Sequence, residues 1–276
     1  MEQLTERIER LKSRLDDLRA TKDELLPPDL QRSRDIELTY SSNAIEGNTL
    51  TLDETADIIE HGITVGGKKI GELFEAVDHY DAVRWMRSVA SDGKPLSEDT
   101  VTELHRRIVL NSRKDIAGIY SQNARRIYGS DVVFPNPVEI PKLMEELGEH
   151  LSIEDSTSHA AFDAHHRLVT IHPFDDGNGR TARLLMNLML LRGGYPPVSV
   201  GPSDRQRYLA TIRKAQVAQD PSAPDFQRFM HEMLVATMEE YVHDLQRGEE
   251  ARRQQPGNRM SPEQLAVWRS QQGRNI

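Results

Sequence analysis

The chain contains no cysteine, which excludes disulfide frameworks, thiolate zinc sites and cysteine nucleophiles together. Any metal it binds must take oxygen or imidazole ligands. It also lacks a long hydrophobic run. A bilayer span needs about 18 consecutive apolar residues, and the most apolar stretch, Leu184 to Leu191, is short and interrupted by Asn187; no membrane span is expected. The first residues, MEQLTERIERLKSRL, alternate leucine with charge where a secretion signal needs a continuous apolar segment, so a cytoplasmic location is expected. Positive charge is scarce as well: 35 Lys and Arg face 44 Asp and Glu, a net charge of -9 that opposes generic nucleic-acid binding. The imbalance is uneven, because residues 247–276 hold six arginines and three acids, leaving +3 there and -12 on residues 1–246.

What is present suffices for a large core. The 276 residues are 37% hydrophobic, with Leu, Ile, Val and Met spread from Leu4 to Val242, although a mean hydropathy of -0.62 leaves part of the chain loose. Leu4, Ile8, Leu11, Leu15, Leu18 and Leu25 follow heptad spacing, broken at Lys22. They predict an amphipathic helix ended by Pro27-Pro28, docked on its own domain, with a homodimer seam as the alternative. Further helices are expected over Asp29 to Ile45, from a capping box at Thr51 and Glu54, over Ile70 to Ala90, Ser97 to Leu110, Pro141 to His150, Ser158 to Ile171, Thr181 to Arg192, Ser203 to Ala218 and Asp225 to Leu245. The helix from Thr181 is apolar on nearly every face and belongs at a core centre. One hairpin is expected between Tyr120 and Phe134, turning at Gly129-Ser130-Asp131, and one short helix near Pro262 to Arg269 in an otherwise polar tail.

The segment His172-Pro173-Phe174-Asp175-Asp176-Gly177-Asn178-Gly179-Arg180-Thr181-Ala182-Arg183 stands apart. Its glycines let backbone N–H groups converge, and the helix that follows points its positive end at whatever sits there. Arg180 and Arg183, three apart, project to one side and can grip phosphate oxygens. Asp176 offers the hard oxygen ligand that a phosphate-bridging Mg²⁺ takes, and His172 has the basicity to accept a proton near neutrality. The same residues also suit an ordinary N-capped turn with solvated arginines, and spacing alone does not identify a reaction.

HPFDDGNGRTAR resembles the signature of the Fic family, H-P-F-x-[D/E]-G-N-G-R-x-x-R, and matches it at every specified position. The resemblance extends over roughly Asp29 to Leu245. It implies an all-α fold with one β-hairpin flap and transfer of AMP from ATP to a Ser, Thr or Tyr hydroxyl of a protein. By position, His172 is then the base and Asp176 the Mg²⁺ ligand. The backbone of Gly177, Asn178 and Gly179 forms the phosphate nest, and Arg180 and Arg183 neutralise the outer phosphates. The flap, with Arg126, Ile127, Tyr128 and Gly129, would pair with an extended stretch of the target. Two positions depart from the family: Ser121, where arginine is common, and Gln216, where the adenine-side contact is often Asn.

Ser42-Asn43-Ala44-Ile45-Glu46-Gly47 resembles the inhibitory motif of the family's class II, [S/T]-x-x-x-E-[G/N]. That resemblance implies that Glu46 pairs with Arg183 and denies it to the nucleotide. The expected organisation is an amino-terminal helical region over 1–95 carrying this motif, a catalytic core over 96–246 and a polar tail over 247–276. Three alternatives are weaker: AMP removal by the same site, phosphoryl transfer as in the Doc-like branch, which carries lysine where this chain has Gly179, and a non-catalytic interaction module. A His-Asp metal hydrolase built on His159, His165, His166, Asp175 and Asp176 is disfavoured, because adjacent helical residues cannot face one ion together. Trp85 and Trp268 are read as packing or tail residues, since no basic cluster surrounds them. Tyr40, Ser42, Tyr120, Tyr128 and Tyr195 are candidate self-modification sites.

Overall fold

A helix that is apolar all round is stable only where other helices enclose it. In the computed structural model, which describes residues 2–20, 27–124 and 131–254, this is the position of α8, Asn178–Arg192, in which Leu184, Leu185, Met186, Leu188, Met189 and Leu190 are fully buried. The other helices are α1 (Glu2–Ala20), α2 (Pro28–Ile45), α3 (Leu52–His61), α4 (Ile70–Asp92), α5 (Glu98–Ile108), α6 (Ile140–Ile153), α7 (Ser158–Ile171), α9 (Arg205–Ala218) and α10 (Pro224–Gln254). Helices α4, α5 and α7 pack directly on α8, and α2 crosses near its first turns. The fold is all-α, and among the described residues no helix is long and apolar enough to cross a membrane.

Two polar residues inside this core act as staples. Asn187, fully buried, accepts from Val198 N at 2.8 Å and donates to Val198 O at 3.0 Å, which turns the chain back along α8 after Gly193-Gly194. At the other end, Asn178 makes the same paired contact with Phe174. The amino-terminal seam is filled within the chain, since α1 lies along α10 with Ile8, Leu15 and Leu18 buried. Helix α2 is fixed at its middle and at its C-terminus. Arg34 reaches Asp244 at 2.8 Å, Asp35 takes Arg87 through contacts of 2.6–3.0 Å, and Arg205 Nε donates to the carbonyl of Ile45 at 2.7 Å.

Several expectations shift. Helix α8 begins at Asn178, three residues before Thr181, because Gly177 takes a left-handed N-cap conformation (φ 76°) and Asn178 is locked to Phe174. Between Tyr120 and Phe134 no paired hairpin arms occur among the described residues. Instead Tyr120 bridges antiparallel to Phe174, and Ser121 N donates to Pro173 O at 2.8 Å. The expected turn, including Arg126, Ile127, Tyr128 and Gly129, lies outside the described residues, as does the short helix near Pro262. Helix α10 runs past Leu245 to Gln254. The capping box is as expected, with Thr51 Oγ1 accepting from Glu54 N and Glu54 Oε2 from Thr51 N.

Burial leaves the core rich in neutral imidazole. His79 and His165 are fully enclosed and held well below the ordinary histidine range by desolvation and nearby Arg183; His166 and His231 are lowered mainly by burial, and His105 is pushed down to about 4 by burial. Each of these groups binds a proton more readily in the unfolded chain, whose histidines titrate near ~6.5, so the stability they confer is full above that pH and is lost as pH falls toward the folded value. His105 alone accounts for about 2 kcal/mol at pH ~5 by this linkage. Urea unfolding followed by circular dichroism should therefore show a midpoint that drops steeply between pH 7 and 5, and a midpoint constant over that interval would contradict the neutral-histidine core.

Candidate active site

The loop between α7 and α8 is shaped by its own residues. Helix α7 ends on His172, which sits in the left-handed region (φ 53°) with its N–H on Leu168 O at 2.9 Å. That conformation is costly for a residue with a side chain and recurs at functional sites. It turns the half-buried imidazole away from the core and against the ring of Phe134, at a centroid distance of 4.3 Å. Phe174 then plugs the loop into the core, stacked on His105 at 3.7 Å with the rings 3° from parallel. His105 accepts from Gly118 N through Nδ1 at 3.0 Å, so Nε2 carries the proton and donates to Asp176 O at 3.0 Å. One neutral ring thus sets the height of the Asp176-Gly177 peptide.

Above that peptide, the N–H groups of Asn178, Gly179 and Arg180 open the first turn of α8, and Gly177 supplies no side-chain cap. Unpaired donors and the helix dipole make this a site for negative charge. Glu46 occupies it. A β-carbon built on Gly179 would collide with Glu46 Oε1 and lie 3.1 Å from Arg183 Nη1, so a side chain at that position would displace the Glu46 carboxylate. Asp176 stands at the rim, its half-exposed carboxylate accepting from Gly177 N at 2.7 Å and from Arg180 Nη2 at 3.1 Å. A single hard carboxylate beside an anion cradle is the donor set that Mg²⁺ shares with phosphate and water, so the residues present fit that ion.

Arg183 is the most constrained charge in the site. It is 3% exposed. Its Nε donates to Ser42 Oγ at 3.0 Å, and its Nη2 donates to Ser42 O at 2.8 Å and Glu46 Oε1 at 2.7 Å; Nη1 faces Tyr208 Oη at 3.4 Å. Desolvation alone would lower its pKa, but Tyr208 and Glu46 outweigh that and the guanidinium stays charged. Glu46 closes the C-terminus of α2, where the helix dipole disfavours a carboxylate. Arg183 and the N-terminus of α8 compensate it.

The expected residues therefore converge: Ser42, Glu46, Asp176, Gly177, Asn178, Gly179, Arg180 and Arg183 form one constellation, with His172 at the end of the same loop. Gln216 stands to the side, donating to Val169 O at 3.0 Å and lining, with Phe134, Thr170 and Ile171, a groove of about 1000 Å³. His165 turns to Tyr208 Oη at 2.7 Å and His166 packs by Phe226, so neither joins His172. Tyr208 and His105 escape the sequence reading, because their roles arise only from helices distant in the chain.

Comparison with known proteins agrees with this geometry. The Fic/DOC family profile matches residues 95–190. A protein adenylyltransferase Fic of Nematostella vectensis is 38% identical over 182 residues, 64% of this chain and 42% of that protein; one of Drosophila persimilis is 35% identical over 208 residues, 74% of this chain and 40% of that protein. The chain thus spans about two fifths of the length of these curated relatives. Among solved structures, Fic-1 (residues 134–508) of C. elegans superposes with a TM-score of 0.74 at 28% identity, covering 87% of this chain and 71% of that one. A Fic domain containing signaling protein of Bacteroides thetaiotaomicron superposes with a TM-score of 0.76 at 26% identity, covering 87% and 97%. With its signature motif folded into the loop and first turn of α8, the chain carries a Fic/DOC family domain over residues 95–190.

Proposed function

We propose that this protein transfers AMP from ATP to a Ser, Thr or Tyr hydroxyl of a protein and is held inactive by Glu46. The observation that carries the reading is the placement of Glu46 Oε1 over the N-terminus of α8, 2.7 Å from the buried Arg183. A carboxylate seated where helix dipole and guanidinium converge stands in for a phosphate. The names of the relatives support the nucleotide and the transferred group.

The chemistry follows from position and charge. His172 takes the proton of the incoming hydroxyl, whose oxygen bonds to the α-phosphorus while the bond to the bridging oxygen breaks and pyrophosphate departs with that electron pair. The N–H groups of α8 and the guanidinium groups of Arg180 and Arg183 meet the charge that builds on the leaving group. Asp176 would hold Mg²⁺, which supplies further phosphate charge neutralisation when bound. Gln216 and the groove beside it lie on the side assigned to adenine, and the segment carrying Arg126 to Gly129 is assigned to the target's main chain. We assign the reaction to the cytoplasm, with self-modification as its simplest observable form. One observation favours a second reading, AMP removal: the Glu46 carboxylate is 42% exposed and can orient a water.

A charge-assisted hydrogen bond of this kind is worth about 1.5–3 kcal/mol, and about 1.4 kcal/mol is a factor of ten. Glu46→Gly should therefore raise incorporation of AMP into protein about tenfold or more, read as a mass increase of one AMP less water on intact protein and on peptides. Unchanged incorporation would remove the switch. Adding His172→Ala to that variant should abolish the transfer while leaving ATP binding within about threefold, because the imidazole meets the hydroxyl rather than the outer phosphates. Transfer that persists without His172 would overturn its role as the base.

A further inference from the structure

Three acids face the paired arginines: Glu46 on Arg183, and Asp176 and Glu75 on Arg180. Arg180 is 2% exposed, yet its described hydrogen bonding is confined to one contact, Nη2 to Asp176 Oδ2 at 3.1 Å; Nε and Nη1 are buried without a hydrogen-bond acceptor among the described residues. The nearest other carboxylate is Glu75 on α4, whose Oε1 stands 3.6 Å from Arg180 Nη1. Glu75 is itself held in place, its Oε2 accepting from Asn48 Nδ2 at 2.9 Å. Asn48 also donates to Glu72 O at 3.0 Å, Asn43 Nδ2 donates to Glu75 O at 3.2 Å and Thr49 N donates to Glu72 Oε1 at 2.8 Å. The segment from Asn43 to Thr49, which contains Glu46, is thus sewn to the first turns of α4, and Glu75 lies between that seam and Arg180.

A guanidinium removed from water needs a lasting counter-charge. Asp176 is a poor candidate for that task, since its carboxylate is half-exposed at the rim and is the group assigned to the nucleotide's metal. Glu75 instead faces Nη1 of the same guanidinium from within α4. We propose that Glu75 is a positioning residue: it holds the Arg180 guanidinium aimed at the anion cradle, and through Asn48 it ties that aim to the inhibitory segment. This inference rests on the nucleotide-site reading. Glu46 competes with phosphate for Arg183; Glu75 supports phosphate binding by Arg180, so removing its charge has the opposite effect on affinity.

The test is titration calorimetry of ATP with Mg²⁺ into the full chain carrying Glu46→Gly, with and without Glu75→Gln, which keeps size and an acceptor for Asn48 while removing the charge. Glu75→Gln should weaken binding about fivefold or more and raise KM for ATP by a larger factor than it lowers kcat, as loss of ground-state binding requires. Binding that is unchanged or tighter would overturn the proposal, the tighter result marking Glu75 as a second inhibitory acid. If Glu75→Gln fails to fold by circular dichroism, Asn48→Ala carries the test: it keeps the charge but frees it, and should weaken binding about twofold or more, whereas no change would overturn the proposal. If Glu46→Gly alone binds no ATP, the nucleotide-site reading itself fails and this inference with it, a result distinguishable from failure of the Glu75 role alone.

Discussion

Everything in the site depends on where the charge of Arg183 goes. A guanidinium that is almost fully enclosed cannot be hydrated, and its positive charge persists only if anionic and dipolar groups are brought to it. Here the C-terminus of α2 delivers them: the hydroxyl and carbonyl of Ser42 and the carboxylate of Glu46. The same carboxylate lies over the first turn of α8, where three backbone donors face outward. A phosphate of a nucleotide offers the same charge and more acceptor atoms, so the resting contact and the proposed productive one are alternative occupants of one electrostatic socket.

The scaffold makes that socket rigid. Helix α8 is apolar on its remaining turns and surrounded by α4, α5 and α7, so its N-terminus cannot drift. The loop before it is fixed from three sides: Asn178 on Phe174, the neutral ring of His105 beneath Phe174 and Asp176, and Ser121 on Pro173. Helix α2 is tied to α10 through Arg34, to α4 through Asp35 and to α9 through Arg205. These ties hold the backbone at Glu46 beside Arg183.

Much of this is legible in the sequence because local rules and global fold agree. The continuous apolar surface of α8, the Thr51–Glu54 capping box and the spacing of α4 and α7 identify their helices from one segment each. The signature from His172 to Arg183 and the Ser42–Glu46 motif carry their functional meaning through family resemblance, and their convergence in space is consistent with it. What the chain conceals is tertiary. The start of α8 at Asn178 depends on an asparagine side chain closing onto Phe174, which no helix propensity reveals. Tyr120 prefers Phe174 to a hairpin partner because Ser121 and Pro173 pair across the loop. Tyr208 and Glu75 gain their roles from residues 25 and more than 100 positions away in the chain.

The central claim, that Glu46 and a nucleotide phosphate compete for one site, is tested most directly by a crystal structure of the Glu46→Gly variant with Mg²⁺ and a non-hydrolysable ATP analogue. The account predicts phosphate oxygens on the N–H groups that open α8 and within hydrogen-bond reach of Arg183, with the α-phosphorus facing His172. An analogue bound elsewhere, or Arg183 retained on Ser42 with no phosphate beside it, would contradict the account.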